Sequence, residues 1–152
     1  MLRLFLALLL VSLTILAAMI WSGKYDGSPD PAARFEIEAV RLKPDRGYVW
    51  LEAHLKKSGD KDHDLRKPVR LITGDGIEHE PADTTFSGSP ETGFTEIWFK
   101  FWLEKKALEG PMVLKLNDAE LMVKSTAETP ELPAGKDTVF RSSKWKKSWL
   151  GF

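Results

Sequence analysis

Hydrophobic and polar positions change their period twice along this chain. From Leu4 to Trp21 no charged residue interrupts a run of Leu, Ile, Val, Ala, Met and Phe, and Ser12 and Thr14 are too few to make a polar face. A helix apolar all round suits a bilayer or a removable leader better than one side of a soluble core. At 1.5 Å per residue these eighteen residues reach about 27 Å, close to the roughly 30 Å of a hydrocarbon core.

From Phe35 the period becomes two. In GYVWLEAHLKK, Val49, Leu51, Ala53 and Leu55 share one face, while Tyr48, Trp50, Glu52, His54 and Lys56 share the other. FTEIWFKFWLE repeats the scheme, with Ile97, Phe99, Phe101 and Leu103 opposite Glu96, Trp98, Lys100 and Trp102. PMVLKLN and AELMVKS alternate too, and Asn117-Asp118 between them tolerate the left-handed angles of a tight hairpin. RFEIEAVRLKP, KPVRLIT and a short segment after the turn in TGDGIEHEP complete seven predicted strands. FSGSPETG reads as a connecting loop.

Seven short strands with no helical period beyond the leader predict an all-β fold. The expected architecture is a single antiparallel, immunoglobulin-like β-sandwich over residues 34–125. Residues 1–23 form the leader and 24–33 a Gly/Ser/Pro/Asp-rich spacer. TAETPELPAGKDT, at 126–138, has the prolines and glycine of a linker, and 139–152 is a basic aromatic tail. Nothing repeats at a longer period, so solenoids and propellers are excluded.

Turn order carries a resemblance. KKSGDK (with Ser58 to Lys61), TGDGIE (with Asp75-Gly76), a long polar loop, an aromatic strand, Gly-Pro and a paired hairpin succeed one another. This order resembles the telokin-like, immunoglobulin-fold domains exported by many bacteria, usually as lipoproteins or anchored proteins of unknown function. The resemblance covers the strand region and implies a fold and an exported location, with no catalytic residues to carry over. The chain departs from that pattern in lacking a lipid-modified cysteine and in carrying its tail.

Composition narrows the function. Hydrophobic residues are 43%, charged residues 29% and the formal net charge +0, which excludes a disordered chain and the basic excess of a nucleic-acid binder. There are no cysteines, hence no disulfide, thiolate metal ligand, cysteine nucleophile or lipidated cysteine. Residues 24–131 carry sixteen basic and twenty-one acidic groups, whereas 132–152 carry five basic and one acidic. A mildly acidic body thus precedes a basic end.

Both a cleaved signal peptide and an uncleaved signal anchor fit the leader. Cleavage calls for small residues at −3 and −1, yet Leu16/Ala18 and Ile20/Ser22 each put a bulky residue at −3, so the anchor fits better. Trp21 suits the membrane interface, and Arg3 favours an internal N-terminus, with the chain beyond Trp21 exported.

Candidate chemistry is thin. Asp60, Asp62 and Asp64 alternate as in a calcium loop, but Leu65 and Leu71 stand where that loop needs Gly and Glu. His63 in DHD and His79 in EHE read as surface histidines, as does His54 near Trp50. Ser87, Ser89 and Thr92 lack the elbow of a serine hydrolase. No catalytic residue, metal site or cofactor is expected.

The aromatic residues are the strongest candidates for function. Trp50, Trp98 and Trp102 fall on outer faces, and adjacency of the two strands that carry them would gather all three in one patch. The tail adds Trp145, Trp149 and Phe152 among Arg141, Lys144, Lys146 and Lys147. Three readings compete: the tail covers the aromatic patch, lies on an anionic membrane leaflet, or receives another protein. The first is the simplest. Together these features predict an exported, membrane-tethered binding or scaffolding domain of the bacterial envelope, whose partners are the membrane and an envelope protein. The alternatives are a purely structural or assembly subunit and, less well supported, a metal-binding or hydrolytic enzyme.

Overall fold

A computed structural model of the protein describes residues 2–21, 25, 26 and 30–145, and within its first helix the side chains of 6–17. Helix α1 runs from Leu2 to Trp21, and each of its described side chains is exposed. Those twelve residues cover about 18 Å. Among the described residues no helix is long and apolar enough to cross a membrane.

The remainder is β-structure: β1 (Phe35–Asp45), β2 (Tyr48–Lys57), β3 (Arg70–Ile72), β4 (Glu78–His79), β5 (Asp83–Ser89), β6 (Gly93–Glu104), β7 (Met112–Leu116), β8 (Ala119–Lys124) and β9 (Thr138–Phe140). They form two antiparallel sheets, ordered β5-β6-β2-β1-β9 and β4-β3-β7-β8. Their apolar faces meet in one buried cluster, the layout of a β-sandwich.

Alternation explains the core. Val49, Leu51, Ala53 and Leu55 of β2 are fully buried, as are Ile97 and Phe101 of β6, and the opposite sheet contributes Leu71, Leu114 and Leu116. In β1 the pairing register shifts between Ile37 and Ala39, so Phe35 and Ile37 face inward before the bulge and Val40 and Leu42 after it.

Among the described residues the strands number nine, not the seven predicted. The two additions, β5 and β9, are edge strands of one sheet. Phe86 is the one large apolar residue of β5 and is itself exposed, while β9 is three residues long and buries only Phe140. An edge strand held by a backbone ladder on one side leaves little alternation to read.

Two turns lie in contact. A Cβ on Gly74 would fall 2.5 Å from the Glu109 carbonyl oxygen and 2.8 Å from the Gly110 Cα, so the TGDG and Gly110-Pro111 turns meet backbone to backbone. Asp75 organises the first turn: its Oδ1 accepts from Thr73 Oγ1 at 2.6 Å and from Ile77 N at 3.2 Å.

Candidate functional site

The outer face of β2 and β6 brings the strand tryptophans together. Register pairs Trp50 with Trp102, Glu52 with Lys100 and His54 with Trp98. Trp102 lies between Trp50, with ring centroids 4.5 Å apart and planes tilted by 53°, and Tyr48, stacked at 5.0 Å and 11°. Two residues beyond the charged pair, His54 stacks on Trp98 at 4.6 Å and 6°. Parallel stacking covers much of each stacked ring face. Trp102 nevertheless remains 37% exposed and Tyr48 42%, with Trp50 and Trp98 half-buried.

Between the two aromatic rows runs a charged row across four strands. Asp83 of β5 meets Lys100 of β6 at 3.3 Å, Lys100 meets Glu52 of β2 at 3.9 Å, and Glu52 meets Arg41 of β1 at 3.7 Å. His54 Nε2 lies 2.6 Å from Glu96 Oε2. These partly exposed pairs contribute little stability, on the order of 0–1 kcal/mol each. Their effect on recognition is larger, because the face compensates its own charges.

Trp145 lies elsewhere. It is buried at the sandwich edge, stacked on Phe140 of β9 at 4.9 Å and 7°, and its Nε1 donates to the Val123 carbonyl at 3.0 Å and lies 3.2 Å from Tyr25 Oη. Tyr25 Oη donates to the same carbonyl, and burial pushes the phenol's pKa up. Ser143 N donates to Asp26 Oδ1 at 2.6 Å. Modest burial works against the charged form of Asp26, but the Ser143 hydrogen bonds and the Lys144 charge outweigh it and hold the carboxyl below its usual range. Residue 25 of the spacer and residue 145 of the tail thus share one carbonyl. Trp149 and Phe152 lie outside the described residues.

The remaining sequence candidates have separate partners. Asp62 accepts from Lys57 Nζ at 2.8 Å and Phe94 N at 3.0 Å. Asp64 pairs with Arg66, whose hydrogen bonds bring the carboxyl's pKa down to about 2. His63 is buried, and its Nδ1 lies 3.0 Å from Asn117 Oδ1, an acceptor, which places the proton on that nitrogen. Burial pushes its pKa below the ordinary histidine value, so the ring is neutral at pH 7. His79 Nε2 lies 3.3 Å from Thr73 Oγ1. Among the described residues no group of three or more His, Asp or Glu could hold a metal ion. Ser89 and Thr92 bond each other at 3.0 Å across the β5–β6 turn, and Ser87 gives its carbonyl to Thr95. An open hollow of about 390 Å³ beside them is lined by Phe86, Phe94 and Asp62.

Lys124 carried no signal in the sequence and yet is fully buried. Its Nζ donates to the carbonyls of Leu108 at 2.5 Å and Gly110 at 2.9 Å, and lies 5.6 Å from the Trp145 ring centroid. Desolvation lowers its pKa, opposed by Glu109 and Glu128. Tyr25 did carry a signal, as a lone aromatic in a spacer of small and polar residues.

No protein-family model matches this chain, and neither a curated protein nor a solved structure does.

Proposed function

We propose that this chain is an exported, membrane-tethered domain that binds another protein of the bacterial envelope through the outer face of β2 and β6. In this reading α1 is an uncleaved anchor, the sandwich lies outside the cytoplasm, and no catalysis is assigned. The strand order supports an immunoglobulin-like assignment of the telokin-like kind. β5-β6-β2-β1 against β4-β3-β7-β8 matches the D-E-B-A and C-F-G orders of that fold, with one added edge strand on each sheet. The exposed and mostly apolar side chains of 6–17 support the anchor.

The observation that carries the function is the aromatic ladder of Tyr48, Trp50, Trp98 and Trp102 around a self-compensated row of charges. Preformed aromatic anchors are enriched in protein interfaces, and the charges between the two aromatic rows are already paired within the face. Asp83, Lys100, Glu52 and Arg41 balance one another in charge, which disfavours a strongly charged ligand at that row.

The test is crosslinking of the full chain in intact envelopes, wild type against Trp50→Thr/Trp102→Thr. Threonine keeps β-propensity at both positions. The expected result is one discrete crosslinked protein whose yield falls about tenfold or more in the double variant, with an unchanged far-UV spectrum. Equal yields from both chains, or no crosslinked protein from either, would contradict it, and the latter outcome would favour a purely structural subunit.

A further inference from the structure

The charges on the outer face of β2 and β6 invert when their order is reversed. Across the sheet from β1 to β5, the central row runs Arg41, Glu52, Lys100 and Asp83: plus, minus, plus, minus. Two copies pressed face to face are related by a two-fold axis lying in the plane between them. An axis along the strands, between β2 and β6, reverses strand order from one copy to the other. Arg41 then lies over Asp83 of the second copy, and Glu52 over its Lys100.

The neighbouring rows follow the same operation, because every cross-strand pair of β2 and β6 becomes a pair between copies. Trp50 falls over Trp102, His54 over Trp98, and Lys56 over Glu96. Rings meet rings and opposite charges meet. An axis along the row instead sets Arg41 over Arg41 and Glu52 over Glu52, like charge on like across all four strands. The row therefore favours one arrangement of two copies and penalises the other.

The area is enough for a weak, specific pair. From Tyr48 to Lys56 β2 extends about 27 Å, and four strands span about 19 Å across the sheet. That is on the order of 500 Å² per copy and about 1,000 Å² for the pair, the low end of specific interfaces. Tyr48 and Trp102, each more than a third exposed, supply ring surface still open to solvent.

We propose that the occupant of the β2–β6 face is a second copy of this chain, in a face-to-face dimer whose two-fold axis runs along the strands. The proposal rests on the reading of that face as a docking surface and names its partner. Trp50 and Trp102 sit beside the axis, near the middle of the interface, where aromatic anchors contribute most to binding.

The full chain is reconstituted into lipid vesicles, treated with a carbodiimide that joins carboxylates to lysines without a spacer, and weighed. The expected product is a covalent pair at twice the 17.2 kDa of the chain. Arg41→Glu alone sets a carboxylate over Asp83, and Asp83→Arg alone sets a guanidinium over Arg41. Each should lower the dimer yield about tenfold or more, with an unchanged far-UV spectrum. Mixing the two variant chains should restore it, since each then meets the opposite charge on the other. A dimer that both single variants form as well as wild type, or a yield that mixing fails to restore, overturns the arrangement. No dimer from wild type, while crosslinks in intact envelopes still depend on Trp50 and Trp102, overturns the second copy and leaves the docking face standing. Loss of both overturns both readings.

Discussion

Asn117 occupies the left-handed region, φ +56°, at the turn between β7 and β8, and its amide ties three distant backbone and side-chain groups together. Its Nδ2 donates to the Ala33 carbonyl at 2.6 Å, while its Oδ1 accepts from Asp64 N at 2.9 Å and His63 Nδ1 at 3.0 Å. Asn117→Gly keeps the backbone angle accessible and removes only the amide. The expected loss is about 3 kcal/mol, the sum of three ordinary net hydrogen bonds of about 1 kcal/mol each. Urea unfolding should show it as a lower midpoint with unchanged slope; an unaltered midpoint would mean that water replaces the amide. The sequence marks Asn117 as a turn former because that preference is local. Its partners at 33, 63 and 64 lie more than fifty residues away, and no spacing rule reaches them. Trp145 repeats the point: its size and charged neighbours make it conspicuous, but nothing near it in the chain names Tyr25 and Val123 as its partners.

Strands were legible in proportion to how deeply one face is buried. β2 and β6 alternate without interruption because one face forms the core, and their adjacency gathers Trp50, Trp98 and Trp102 on the other face. β5 and β9, as edges, left no such trace. β8 fails in a third way: Val123 and Lys124 are consecutive yet both buried, because a register shift opposite Met112 and Val113 ends the alternation there. The buried ammonium then reaches the carbonyls of Leu108 and Gly110. Lys124→Met removes a desolvated charge but orphans two carbonyls, and the second effect should win by about 1–3 kcal/mol. The sign with pH is also fixed. Because desolvation depresses its pKa in the fold, the unfolded chain binds this proton more tightly, and the penalty fades as pH rises toward the ordinary lysine value of 10.5. Wild type should therefore gain stability relative to Lys124→Met as the medium is made alkaline. A variant more stable than wild type at pH 7 would show that the charge costs more than the carbonyl bonds return.

At the scale of the whole molecule, charge and connectivity point one way. A mildly acidic body is closed at one edge by the contacts of residues 25–26 with 143–145. Changes of composition set off residues 1–23, 24–33, 126–138 and 139–152 in the sequence, yet β9 crosses the last of these boundaries and pairs with β1. That the spacer and tail interlock was not visible, because it depends on two side chains, Tyr25 and Trp145, that meet across 120 residues. The exposed aromatic face, read as a docking surface in the envelope, gains its meaning from a sandwich held close to a membrane. The retention of α1 is therefore the point on which most depends, and intact mass measures it directly. Protein made in an exporting bacterium should remain in the membrane pellet after an alkaline wash and weigh 17.2 kDa, the mass of the whole chain. A lighter chain beginning after Trp21 and released to the soluble fraction would contradict the tether.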